Sequence, residues 1–376
     1  MTKQLTNLAL ALVFVVIGLG ALTRLLDAGL GCPDWPGCYG FLTPPNQPEH
    51  IELAEELYPN TPVVRHQAWM EMVHRYAAGT LGLLIFAITL RLYRTNKKSS
   101  TLSQATVIAT VLSMVVIVQA AFGMWTVTLK LWPPIVTLHL LGGLITFGLL
   151  IVLRFLLQQP EITDRNQITK ERNHGSPSHQ TLKRLAVSAL LVVFLQITLG
   201  AWTSSNYAGL ACPDFPTCQN QWFEQVSIQK ALSIPSYDNL SFLHGRTDAQ
   251  TRVSIQVLHR LGAVITLIIV GVFLIQFLRS QHPYRKQIAL VTSTLLVLQI
   301  VLGILTAVLL LPLTLALLHN LVAALLFGSL ITANLLVAHS QTVPLVERTE
   351  LTGIPETHTV GMTKEIQDGN IITHNS

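Results

Sequence analysis

Four of the 13 histidines in this 376-residue chain lie inside long apolar runs: His74, His139, His259 and His319. Polar side chains are costly in such surroundings and usually functional. The His74-Arg75 dipeptide recurs as His259-Arg260, and His139 recurs as His319. Each histidine stands a similar distance into its run, which at 1.5 Å per residue sets all four at one depth, roughly 10 Å from the surface. A single histidine of this kind would read as a structural residue bonding a neighbouring helix. Two repeat-related pairs at equal depth point instead to metal ligation. Zinc or copper would want further Cys, Met or carboxylate ligands close by. Two facing imidazoles alone suit the axial positions of a heme iron held in a helical bundle.

The residues around the pairs differ. Three residues before His74 stands Glu71, on the same helix face, and the matching position before His259 is Gln256. A carboxylate beside one pair and an amide beside the other suggest divided labour, although Glu71 also suits a solvated helix start. Arg75 and Arg260 can pair with heme propionates or snorkel to the interface. Arg24, whose counterpart is Ser204, is a weaker propionate or substrate candidate.

The four cysteines form two C-x5-C pairs, Cys32/Cys38 and Cys212/Cys218, without zinc-site spacing. Each encloses Pro-Asp-aromatic-Pro, a stiff turn able to bring its thiols together, so a disulfide within each loop is expected rather than a crossed pair. Such a bridge either staples its loop over the heme or, in a sharper version, exchanges redox state or helps transfer heme.

Membrane helices are the elements that position these groups. Only 11% of residues are charged and half are apolar, where a soluble domain carries about a quarter charged. Apolar runs at about 5–26, 68–92, 103–129, 134–157, 183–204, 253–278, 287–310 and 313–338 each approach the roughly 20 residues a bilayer requires. The first resembles a signal peptide but lacks a convincing cleavage site, so a retained helix is expected. The net charge of +5 sits in short loops, which fits membrane orientation and not a nucleic-acid partner. Lys3, Arg91, Arg94, Lys97, Lys98, Arg165, Lys170, Arg172, Lys183, Arg184, Arg279, Arg285 and Lys286 mark a cytoplasmic side that holds both termini. The loops at about 27–67 and 205–252 are then outside, where disulfides persist.

The run LGALTRLLDAGLGCPDWPGC from Leu19 to Cys38 matches LGAWTSSNYAGLACPDFPTC from Leu199 to Cys218 at an offset of 180. Gln119, Gly123, Thr126 and His139 match Gln299, Gly303, Thr306 and His319 at the same offset, and His74 matches His259 at 185. The expected fold is an all-α integral membrane protein whose eight transmembrane helices form two tandem four-helix bundles, a parallel internal repeat. The divisions are 1–160, a cytoplasmic linker 161–182, 183–339, and a polar, disordered cytoplasmic tail 340–376.

With the duplicated plan, the G-C-P-D-W-P-x-C loop, E-x-x-H at Glu71–His74 and three further membrane histidines in hand, the chain resembles the heme A synthase family in its cysteine-containing bacterial form, over roughly residues 5 to 338. The resemblance implies oxidation of the C8 methyl of heme O, through hydroxylated intermediates, to the formyl of heme A for terminal respiratory oxidases. It implies His74 and His139 as the heme O substrate site, His259 and His319 as ligands of a resident heme b, and Glu71 as the essential carboxylate. Expected partners are membrane lipid, heme O, the heme O synthase upstream and cytochrome oxidase assembly proteins, and a homo-oligomer is compatible with the sequence. With no Arg-rich, Ser-rich leader, a bacterial inner membrane is the expected location. The alternative function is a di-heme electron carrier like a cytochrome b subunit, which would hold both hemes and make no new one. A membrane thiol oxidoreductase, the third reading, leaves the histidines unexplained.

Overall fold

The computed structural model describes residues 1–96, 102–158, 178–220, 226–280 and 284–339. The expected tail 340–376, residues 161–177 of the expected linker, and the basic positions Lys97, Lys98, Arg165, Lys170 and Arg172 lie outside the described residues. Among the described residues there are eight long helices: α1 (Thr2–Leu25), α3 (Arg65–Asn96), α4 (Gln104–Thr128), α5 (Pro133–Leu156), α6 (His179–Ser205), α8 (Ala249–Arg279), α9 (Arg285–Val308) and α10 (Leu313–His339). All eight are long and apolar enough to cross a membrane, and the chain is a multi-pass membrane protein. Two short helices, α2 (Pro48–Leu57) and α7 (Ile228–Ala231), lie in the loops.

Local chemistry sets the ends. Side-chain oxygens of Ser103, Ser178 and Asp248 accept the backbone N–H of Thr106, Thr181 and Thr251, capping α4, α6 and α8. Proline opens α5, where its missing N–H costs nothing. These caps carry α6 and α8 several residues beyond their apolar runs. The α4–α5 and α9–α10 turns both pass through left-handed residues, Lys130-Leu131 at φ 51° and 63° and Leu310-Leu311 at 60° and 64°. Asp27 and Tyr207, and Tyr39 and Gln219, are left-handed as well, so each left-handed residue named here has its counterpart 180 positions away.

Helices α1, α3, α4 and α5 pack as a closed set of four, with α1 and α4 each against α3 and α5. In the same way α6 and α9 each pack against α8 and α10. Between the sets α5 meets α6 and α10, while α1 meets α10. Exchanging α1 with α6 and α5 with α10 turns this contact pattern into itself. At the α5–α10 crossing a Cβ on Gly148 would stand 2.7 Å from Ile331 Cδ1, and one on Gly328 would stand 2.9 Å from Phe147 Cε1. Each helix thus lays a large side chain over the glycine of the other.

The two main apolar clusters follow the two sets. One joins Val13, Ile85, Ile88, Leu112, Leu150 and Leu153, the other Val193, Phe273, Phe277, Leu296 and Leu330. Both run from the middle of the helices toward the end that bears the N-terminus. At the opposite end the loop before α8 crosses onto the first set. There Trp132 Nε1 donates to the Pro235 carbonyl at 2.8 Å, Lys130 Nζ to that of Asn239 at 2.8 Å, and Phe242 N–H to that of Lys130 at 2.9 Å.

Replacing Gly148 or Gly328 by leucine is expected to destabilise the bundle by about 1–3 kcal/mol through overpacking. Gly271→Ala, where a Cβ meets nothing within 4 Å, should be silent. Thermal unfolding in detergent checks both.

Candidate paired-histidine sites

Each histidine of interest is seated against a glycine on the neighbouring helix. A Cβ added at Gly20 would stand 3.0 Å from His74 Cε1, one at Gly123 3.4 Å from His139 Cε1, one at Gly200 3.2 Å from His259 Cε1, and one at Gly303 3.0 Å from His319 Cε1. All four seats are therefore cradles that a side chain would fill. The rings of His74 on α3 and His139 on α5 stand with centroids 6.4 Å apart and planes at 85°. Two imidazoles sharing one metal atom have centroids about 6 Å apart, given metal–nitrogen bonds of about 2 Å. Nδ1 of His74, His139 and His319 is sealed from solvent and has no hydrogen-bond partner, an unfavourable state for a polar nitrogen. Among the described residues no group of three or more His, Cys, Asp and Glu converges. A donor set of two imidazoles suits a metal that brings its own equatorial ligands, as heme iron does. The residues fit the group.

Glu71, also on α3, is 4% exposed. Its Oε2 accepts the backbone N–H of Cys32 at 2.9 Å, and its Oε1 pairs with Arg75. The loop lies directly on α3, since a Cβ on Gly31 would stand 2.5 Å from the Gln67 carbonyl carbon. Arg75 Nη1 donates to the carbonyls of Asp34 at 3.0 Å and Gly37 at 2.6 Å, and Asp34 in turn accepts the N–H groups of Tyr39 at 2.6 Å and Gly40 at 2.9 Å. A disulfide closes this turn between Cys32 and Cys38, and another joins Cys212 to Cys218. The bridges are local, as expected.

The second loop is built alike. Arg260 donates to the carbonyls of Thr217 at 2.6 Å and Cys212 at 2.7 Å. Asp214 accepts from Thr217 Oγ1 at 2.6 Å and from the N–H groups of Asn220 at 2.9 Å and Gln219 at 2.6 Å, and these bonds hold its carboxyl well below the usual range. Gln256, at Glu71's place, is 6% exposed and its Oε1 has no partner.

Both arginines beside the histidines thus clasp loop carbonyls. Arg24 bonds the Ser204 carbonyl, pairs with Asp27 at 3.3 Å and lies 3.8 Å over the Tyr207 ring, joining the two helix sets. Sequence reasoning overlooked Gln196, which lies one turn before Gly200 and reaches His259. Its signal was an amide in an apolar run where the first copy has Val16.

Eight apolar helices with disulfide-closed loops at one end define a multi-pass helical membrane protein. A family model described as cytochrome oxidase assembly protein matches residues 3–331, and the chain belongs to that family. It is 39% identical over 335 residues to heme A synthase of Shewanella oneidensis, covering 89% of this chain and 96% of that one. It is 28% identical to heme A synthase of a Wolbachia from Brugia malayi, over 85% and 91% of the two chains. With heme A synthase of Bacillus licheniformis the identity is 26%, over 59% and 66%.

Gly31→Val should lift the first loop off α3 and break the Cys32–Glu71 bond. Losing a hydrogen bond to a charged group, about 1.5–3 kcal/mol, corresponds to roughly tenfold or greater opening. Hydrogen exchange over residues 28–40 should rise accordingly, while the 208–220 loop stays unchanged.

Proposed function

We propose that this chain is a heme A synthase, oxidising the C8 methyl of heme O to the formyl group of heme A. The observation that carries the reading is Glu71. A carboxylate sealed from solvent, one helical turn from His74 and anchored by the Cys32 N–H, stands beside one imidazole pair only. Membership of the cytochrome oxidase assembly family and relatives named heme A synthase give this carboxylate its chemical context.

In this reading residues 1–160 form the substrate half, where His74 and His139 hold the iron of heme O. Residues 183–339 form the half in which His259 and His319 hold a resident heme b. Bound heme supplies the oxidising and electron-transfer chemistry. The chain's own residues position it and manage protons. Glu71 takes up or orients a proton near the reacting edge, while Arg75 and the Cys32 N–H fix where its oxygens point. Gln256 cannot do this work, because an amide does not exchange a proton at neutral pH. A di-heme electron carrier with two equivalent fixed hemes would need no such difference between its halves. Each disulfide acts as a staple that keeps its loop in register over its helix set.

Charge orients the protein. Lys3, Arg91, Arg94, Lys183, Arg184, Arg279, Arg285 and Lys286 belong to the end where α1 begins and α10 finishes, which argues for that end as cytoplasmic and the disulfide loops as external. The membrane is a bacterial inner membrane.

Glu71→Gln is expected to cut heme A formation by roughly 100-fold or more while heme binding persists. Chromatography of hemes extracted from cells that make heme O reads this directly, and wild-type heme A from the variant would refute the role. A fluorescent protein fused after Ser376 should glow and alkaline phosphatase at the same point should stay inactive; the reverse pattern would invert the topology.

A further inference from the structure

The two imidazole pairs differ in what holds their rings. In the second helix set Gln196 Nε2 lies 3.1 Å from His259 Nδ1 and donates to the His259 carbonyl at 2.9 Å, and Gln299 Nε2 lies 3.2 Å from His319 Nε2. In the first set Gln119, the counterpart of Gln299, gives its amide to the main-chain oxygen of His139 at 2.8 Å, and among the described residues no side-chain amide bonds the ring of His74 or His139. Val16 stands where Gln196 would be.

Neighbouring residues change in step. Gln196 needs the space over Gly262, where a Cβ would fall 2.2 Å from its Oε1, and the first set has Ala77 at that place. Gln119 needs the space over Gly142, again 2.2 Å from a Cβ, and the second set has Val322 there. Valine closes that space, and the Gln299 amide stands at the imidazole instead of at the backbone. Glycine under Gln196 and valine opposite Gln299 therefore both bring an amide to a ring in the second set.

We infer that Gln196 is a positioning residue for His259 and, with Gln299, makes the second pair a retained heme site while the first pair exchanges its heme. This rests on the assignment of His259 and His319 to the resident heme. A partner on the second ring nitrogen fixes orientation and tautomer, and removing such a partner typically costs 10- to 100-fold in metal affinity. A glutamine suits the role because its amide carries both donor and acceptor and serves either tautomer. The Oε1 of Gln196, sealed and without a partner, keeps that acceptor beside the ring. A pair without side-chain amides on its rings suits a site that must admit heme O and release heme A.

The experiment loads the full-length protein in detergent with heme b and heme O and follows heme loss to excess apomyoglobin. The low-spin electron paramagnetic resonance signal and the reduction potential of the slowly lost heme are recorded alongside. Wild type should lose one heme slowly and one fast. Gln196→Val with Gly262→Ala, which writes the first set's residues into the second, should speed the slow phase by about 10- to 100-fold and shift its resonance signal and potential. Val16→Gln with Ala77→Gly should slow the fast phase by a similar factor. Unchanged rates and an unchanged signal in a folded Gln196→Val/Gly262→Ala protein would overturn the inference. If that variant does not fold, an unchanged fast phase in Val16→Gln/Ala77→Gly overturns it instead. A slow phase that survives His259→Ala marks a different failure, that of the underlying assignment, and the inference falls with it.

Discussion

An imidazole held inside an apolar bundle needs two things that the surrounding helices rarely supply together: room for a planar ring, and something to satisfy its nitrogens. Here the room comes from the same device four times. Gly20, Gly123, Gly200 and Gly303 each present bare backbone to a ring, and a Cβ on any of them would stand 3.0 to 3.4 Å from it. Much of the architecture follows from these seats. The main apolar clusters occupy the other end of the bundle, where leucine, isoleucine and phenylalanine interdigitate at ordinary core density. The disulfide loops cover the end where the rings stand. Satisfying the nitrogens is then the task left to a bound group or to a nearby amide, and the two helix sets divide on that point.

The two helix sets are packed alike and seat their histidines alike, and the differences between them are therefore informative. The interface between the sets keeps near-symmetry, with Phe147 over Gly328 and Ile331 over Gly148. Elsewhere a few substitutions break it. Arg24 and Asp27 meet Ser204 and Tyr207, their own counterparts, so two copies of one corner have become complementary partners. Glu71 against Gln256 separates a group that can carry a proton from one that cannot. Val16 and Ala77 against Gln196 and Gly262 separate a ring with no side-chain amide beside it from a ring that has one. Despite these changes the same helices touch in both sets.

Much of this was legible in the residues. The eight runs, the histidines and the cysteine pairs are strong one-dimensional signals, because a bilayer demands length and apolarity in a single stretch. The short helix α2, with four glutamates and little apolar surface, gives no such signal. The destination of Arg75 and Arg260 was open for a related reason. An arginine near the membrane surface is satisfied equally by water, a carboxylate or a carbonyl, and only the folded loop shows that carbonyls of Asp34, Gly37, Cys212 and Thr217 converge on them. The Gln196–Gly262 and Gln119–Gly142 fits join positions on different helices. Nothing in either run alone reveals them.

The loop disulfides admit two roles by sequence, staple or exchange partner, and burial bears on the choice. Thiol–disulfide exchange requires a thiolate to reach a sulfur atom in line with the bond. Cys32 and Cys38 are both 0% exposed, and Cys32 Sγ rests 3.8 Å from the Ala68 carbonyl, under its own loop. A reductant would first have to lift the loop from α3, breaking the contacts of Gly31, Arg75 and Glu71 together. Those are the contacts that fix the carboxylate. The bridge and the acid are therefore parts of one rigid unit: the disulfide keeps the Cys32 N–H where Glu71 needs it, and Glu71 with Arg75 holds the loop down over the bridge. A device meant to open and close repeatedly would be poorly served by tying its movement to the displacement of a buried carboxylate, whereas a staple is well served by it.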